Sequence, residues 1–284
     1  MANVLVLANQ TIGGAALLDA IRERHAAGDA TFFVVVPQSK PSHGNVIYAE
    51  SVRDAAQVRV DLALSFMANE GIEGTGEVGD PDPFSAAKDA IAHYGIDEVI
   101  LSTLPSTSSG WLRKDLPERI EHETGLPVKH VVTDLAREGL PFDVCLVVAN
   151  QTMAGDELVR HLKAKAAEGP RRFIVAVPLQ GSDGAASSSA RARLHALLES
   201  LGEDGIVAAG MIAHSDPYAA TMNAIESLHI SEIVISTLPS NRSVWTKKGL
   251  IEKVRNATGK PIEHVESSGD APVAAAGAAE QAGA

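Results

Sequence analysis

The side chains best suited to chemistry in this chain sit in two short polar motifs, and each motif occurs twice. Asn9-Gln10-Thr11 ends one apolar run, and Asn150-Gln151-Thr152 ends another. Ser102-Thr103-Leu104-Pro105-Ser106 returns as Ser236-Thr237-Leu238-Pro239-Ser240. Asn and Gln amides present donors and acceptors together, which suits hydrogen bonding to a base or a ribose. The Ser/Thr segments crowd hydroxyls beside cations. Ser106, Thr107, Ser108 and Ser109 precede Arg113 and Lys114, while Ser240, Ser243 and Thr246 lie among Arg242, Lys247 and Lys248. Hydroxyls, exposed amides and cations at a helix start can hold a phosphate without a glycine-rich loop. Trp111 and Trp245, the only tryptophans, follow the second motif in each copy and offer a stacking surface for a ring. A structural alternative stands beside each reading. Asn, Ser and Thr are favoured caps and turn residues, and a tryptophan can simply anchor a loop.

Other chemistries find no support. His130 and His264 recur, but no clustered Cys, Asp or Glu gives metal-ligand spacing, so no metal site is expected. Neither a Gly-x-Ser-x-Gly elbow nor a Gly-x4-Gly-Lys-Ser/Thr loop occurs, and no catalytic residue is assigned. The expectation is therefore a binding protein rather than an enzyme. Cys145 is the single cysteine, set in the apolar run Val144-Cys145-Leu146-Val147, which excludes an intrachain disulfide and argues against a reactive thiolate. The net charge of −12 argues against a nucleic-acid partner, which needs a basic face. No apolar run approaches the ~20 residues of a membrane helix, and Met1-Ala2-Asn3 leads straight into a strand, so a cytoplasmic protein without a membrane partner is expected.

The repeat extends well beyond the two motifs. Gly125-Leu126-Pro127-Val128-Lys129-His130-Val131 matches Gly259-Lys260-Pro261-Ile262-Glu263-His264-Val265. A unit this long exceeds the ~20–50 residues of a solenoid repeat, so each copy is a whole domain. Residues 1–134 form the first and 142–266 the second, with a short linker that predicts packed copies, an intrachain pseudo-dimer. Continuous apolar runs alternate with amphipathic stretches. Strands are expected over 3–8, 31–36, 72–78, 98–101 and 128–132, with helices over 15–27, 51–70, 83–94 and 115–123. In the second copy the strands are 144–148, 173–177, 206–211, 232–235 and 262–265, and the helices 156–167, 190–201, 216–228 and 248–257. Residues 181–189, rich in Gly, Ser and Ala, are expected to be mobile, and the Ala/Gly-rich residues 267–284 to be a disordered tail. Alternation of this kind builds a parallel sheet with helices on both faces, whose ligand lies beyond the carboxyl ends of the strands at the topological switch point. Both repeated motifs fall at such ends.

Five strands in βαβαβαβαβ order, Asp82-Pro83 opening the third helix and a Ser/Thr loop after the fourth strand resemble the universal stress protein family over residues 2–133 and 142–265. The Ala-Asn-Gln-Thr and Ser-Thr-Leu-Pro…Trp pattern is similar to tandem members from actinobacteria. The resemblance implies an α/β fold of two tandem Rossmann-like (universal-stress-type) domains, each a five-stranded parallel sheet with helices on both faces. It also implies ATP or another adenine nucleotide as ligand. ATP-binding members carry Gly-x2-Gly-x9-Gly-Ser/Thr after the fourth strand, where this chain has Ser102 or Ser236, Pro105 or Pro239, and Asp115 or Gly249. Only Gly249 matches, and Asp115 puts a carboxylate where a phosphate belongs. Asn9 and Asn150 stand where the family commonly has an acidic residue.

The expectation is a nucleotide or other small phosphorylated ligand in the second copy. Its candidate residues are Asn150, Gln151, Thr152, Ser236, Thr237, Ser240, Arg242, Ser243, Lys247, Lys248 and Gly249. A degenerate site in the first copy has Asn9, Thr11, Ser102, Thr103 and Ser106. Two alternatives stay open: a ligand-free structural or interaction protein with a stress-response role, and a slow phosphohydrolase. Family domains pair through the fifth strand, so the two copies are expected to mimic that dimer, and a further homodimer stays open as well.

Overall fold

The computed structural model describes the chain except for residues 42, 44–48, 106–109, 112–114, 139, 154, 180–183 and 269–284. In the first copy the strands are β1 (Ala2–Leu7), β2 (Ala30–Pro37), β3 (Gly74–Gly79), β4 (Glu98–Thr103) and β5 (Val128–Val132). Between them lie α1 (Ala15–Ala26), α2 (Ala49–Asn69), α3 (Pro83–Tyr94) and α4 (Leu116–Thr124). A short α5 (Leu135–Glu138) occupies the linker. The second copy runs β6 (Asp143–Val148), α6 (Asp156–Ala166), β7 (Arg171–Pro178), α7 (Gly184–Glu203), β8 (Ala208–Ala213), α8 (Pro217–Ser227) and β9 (Glu232–Thr237). It closes with α9 (Val244–Lys247), α10 (Leu250–Thr258) and β10 (Ile262–Glu266).

The strands form two separate five-stranded sheets, β3-β2-β1-β4-β5 and β10-β9-β6-β7-β8, and every pairing is parallel. Read from its own third strand, each copy has the same order. Both are Rossmann-like α/β domains. The central strands explain the unbroken apolar runs: Val4, Leu5, Val6 and Leu7 are fully buried, as are Cys145, Leu146, Val147 and Val148. A strand covered on both faces has no polar side to alternate with.

The repeated Asp-Pro is a helix-start device. Asp82 accepts from Ser85 N at 3.0 Å and Asp216 from Tyr218 N at 2.7 Å, with Pro83 and Pro217 in first helical positions where no amide partner is needed.

Three expectations need correction. Residues 184–189, read as part of a mobile stretch, are the first turns of α7. Alanine has no intrinsic cost in a helix, and contacts with α2 hold this segment: Ser187 Oγ donates to Glu50 at 3.3 Å, and Arg191 pairs with Glu50 at 3.4 Å and Asp54 at 3.1 Å. Residues 181–183 lie outside the described part. Ser267 and Ser268, assigned to the tail, are held. Ser267 is buried, its amide donates to Thr237 O at 2.9 Å, and its hydroxyl donates to Glu157 at 3.0 Å. The rest of the expected tail lies outside the described residues. Finally, β5 and β10 are edge strands of separate sheets and do not pair.

What joins the copies is α2. It packs on its own edge strand β3 and also on β8, the edge of the other sheet. Gly74 and Gly76 permit the first contact, since a Cβ at either would overlap Met67 or Val60 of α2. Polar anchors make the second. Asp54 Oδ2 accepts from the Ile212 amide at 3.0 Å, closing an edge N–H of β8, and Asn223 makes paired bonds to the backbone of His43 at 2.7 and 2.8 Å.

Candidate functional site

In the second sheet β6 lies between β7, which follows it in the chain, and β9, which does not, so the switch point falls between β6 and β9. The two polar motifs of this copy are the carboxyl-end continuations of these strands. They line one cleft of about 170 Å³, contributed by Asn150, Gln151 and Thr152 on one side and Ser236, Thr237, Arg242, Ser243 and Trp245 on the other. The sequence-predicted residues therefore meet, with exceptions: Ser240, Lys247, Lys248 and Gly249 are not among the lining residues.

Hydrogen bonding separates scaffold from groups facing the opening. Asn150 is buried and engaged at both ends: Nδ2 donates to Pro178 O at 2.6 Å, and Oδ1 accepts from Arg193 Nη2 at 2.8 Å. It ties the end of β6 to the end of β7. The Ser236 and Thr152 hydroxyls bond each other at 2.8 Å, both buried. Thr237 Oγ1 donates to Leu238 O and meets His264 Nε2, each at 2.8 Å, which gives the recurring His a structural partner. Ser243 caps α9 by accepting from Thr246 N at 3.1 Å. Ser240 N donates to Glu266 at 3.2 Å, and Lys247 Nζ to Asn241 O at 3.0 Å. Arg242 is exposed and Trp245 half-buried at the mouth.

The first copy repeats part of this scaffold. Asn9 Nδ2 donates to Pro37 O at 3.1 Å, Thr11 Oγ1 to Ser102 O at 3.3 Å, and Thr103 Oγ1 meets His130 Nε2 at 2.9 Å. Burial holds the His130 imidazole below its usual pKa despite the opposing charge of Glu118. Asn9 and Gln10 line a narrow gap against the second copy beside Phe142 and Leu228. Ser106, Arg113 and Lys114 lie outside the described residues.

Gly249 and Asp115 occupy the same place, the N-cap of α10 and of α4, and the same left-handed backbone at φ 67° and 48°. Asp115 is the one non-glycine residue with positive φ among the described residues. At this one position the two copies thus share a backbone conformation that glycine adopts with less strain than aspartate.

Sequence reasoning missed a second matched pair. Gly14 and Gly155 begin α1 and α6, and a Cβ on either would run into the residue just after the last strand, Thr133 or Ser267. Thr133 Oγ1 bonds Ser102 Oγ at 2.9 Å, so this close approach braces the strand-four motif. The signal was the matched Gly, visible in both copies but without a motif name. Among the described residues no group of three His, Cys, Asp or Glu side chains could hold a metal. Burial pushes the Cys145 thiol well above its usual pKa. No described helix is long and apolar enough to cross a membrane.

No protein-family model matches this chain, and no curated protein does. Among solved structures, it is similar to a universal stress protein from Archaeoglobus fulgidus, with 17% identity over 94% of this chain and 97% of that one, at a TM-score of 0.33. The fold rests on the chain's own strand order and register.

Proposed function

We propose that the chain is a universal-stress-like binding module whose second copy takes a small phosphorylated ligand, with an adenine nucleotide as the leading candidate. The observation that carries this reading is the convergence of both repeated motifs on one cleft at the switch point between β6 and β9. Arg242 supplies the charge at the mouth, and a guanidinium suits a phosphate's geometry. About 170 Å³ accommodates the phosphoryl end, below the ~300 Å³ at which pockets for larger ligands begin, so a base would lie outward against Trp245. No carboxylate or histidine is among the residues lining the cleft, and His264, behind Thr237, is engaged with that hydroxyl, which favours binding over hydrolysis.

Calorimetry of the full chain with ATP, ADP, AMP and inorganic phosphate tests the proposal. Arg242→Ala should weaken binding by about 1–3 kcal/mol, the scale of a charge-assisted contact. Gly249→Asp should weaken it too, by placing a carboxylate at the start of α10. Binding indifferent to Arg242 would sink the site. One observation favours a ligand-free interaction protein instead: Asn150, Thr152 and Ser236 already satisfy one another or their neighbours. Absence of any heat at millimolar ligand would select that reading.

A further inference from the structure

Arg59 lies within α2 and is 2% exposed, the largest of the fully buried side chains among the described residues. Its Nε and Nη2 both donate to Ser227 O, at 3.2 and 3.1 Å, at the carboxyl end of α8 in the other copy. Nη1 has no hydrogen-bond partner. Burial pushes the guanidinium down to about 10, so it stays charged at neutral pH. A buried cation facing only a carbonyl dipole carries a desolvation cost that the dipole offsets in part. An anion is the partner the arrangement lacks.

Arg59 lies between the narrow gap beside Phe142 and Leu228 and a roomier cleft of about 100 Å³ between α2, the end of β8 and α8, and that cleft is separate from the one at Arg242. Val52, Ala55, Met211 and Ala224 give it an apolar wall, and Lys40 adds a second cation. Glu226 also lines it, paired with His43 Nδ1 at 3.2 Å. We infer that this cleft between the copies binds a small monocarboxylate with an apolar body, its carboxylate on Arg59. One negative charge answers one buried guanidinium. A dianion such as phosphate would meet Glu226 and a chain of net charge −12, with an apolar wall it cannot use.

Thermal shift and calorimetry of the full chain with benzoate, butyrate and inorganic phosphate at constant ionic strength test this. Benzoate should raise the melting temperature and bind more tightly than phosphate. Arg59→Met should weaken benzoate about 10-fold or more, the scale of losing a charge-assisted hydrogen bond. Ala55→Leu, which keeps Arg59 but fills the cleft from a half-exposed helical position, should also abolish the effect, and it decides the matter if Arg59→Met does not fold. Arg242→Ala should leave benzoate binding unchanged, which separates this site from the proposed phosphate cleft. The inference is overturned by no wild-type response up to about 50 mM benzoate, weaker than any millimolar affinity. It is equally overturned by an undiminished response in Ala55→Leu or in folded Arg59→Met, or by phosphate binding more tightly than benzoate.

Discussion

Replacing Gly14 with alanine should destabilise the protein by about 2 kcal/mol, and the cause should be traceable to one methyl group. The backbone is not the reason: Gly14 has φ −65° and ψ 143°, an extended conformation open to any residue. The obstacle is space. A Cβ there would overlap the Thr133 Cγ2 methyl and lie 2.9 Å from Leu135 Cδ2. Thr133 is fully buried, with its amide on Thr103 O at 2.8 Å and its hydroxyl paired with Ser102 at 2.9 Å. A β-branched side chain cannot swing its methyl aside without breaking the hydroxyl pair. Overpacking costs about 1–3 kcal/mol, and alanine is a poorer N-cap than glycine by a few tenths more. At roughly 2–4 °C per kcal/mol, the melting temperature should fall by about 5 °C. Thr133→Ser keeps the hydroxyl and removes the methyl. In the wild-type background it should cost about 1 kcal/mol, the value of a buried methyl, but combined with Gly14→Ala it should stabilise. Urea denaturation of the four proteins of the cycle measures the coupling. Additivity within about 0.5 kcal/mol would refute the reasoning, because groups that collide cannot be independent.

Asp115→Gly should stabilise by about 0.5–1 kcal/mol, since it relieves a left-handed aspartate that makes no capping bond; a lower denaturation midpoint would contradict this. Glu263 accepts from Lys165 at 2.6 Å and pairs with His161 at 2.8 Å, and the Lys165 hydrogen bond above all holds its carboxyl below the ordinary 4.5. Its contribution is therefore full above pH 4.5 and lost as pH falls through the lower folded value. Glu263→Gln should be less stable at pH 6 and lose less on acidification, and a wild-type-to-variant difference that is flat with pH would count against the pair. Cys145 is fully buried with its thiol pushed up in pKa, so a thiol reagent should label it only at the unfolding rate. Rapid stoichiometric labelling of native protein would refute that.

The fold was largely legible because the inner strands are largely apolar runs with no polar side, and because the duplication let each copy check the other. The third helix, Pro83–Tyr94, matches expectation residue for residue, since Asp82, Pro83 and Gly95 mark both its ends chemically. The start of α7 was not legible: Gly, Ser and Ala carry no periodic apolar signal there, and the segment is ordered by Glu50 and Asp54 of the other copy. In the candidate site, position in the fold was readable and availability was not. Asn150 lies where a ligand contact was expected, but Pro178 and Arg193 engage its amide, and neither partner is close in sequence. Arg59 gave no sequence signal at all, because an arginine in an amphipathic helix reads as solvated until the second copy covers it.

The placement of α2 between β3 and β8 has a consequence for how the chain is made. While the ribosome is still synthesising residues beyond the linker, α2 has only half its neighbours, and Arg59 and the Ala55 face wait in water for β8 and α8. At about 5–20 residues per second, the roughly 140 residues from the end of α2 to β8 take on the order of 10 s to emerge. Throughout that interval the nascent first copy carries an incomplete surface, open to chaperones or to a neighbouring chain on the same polysome. β8 and α8, made in the course of building the second copy, therefore complete the first as well.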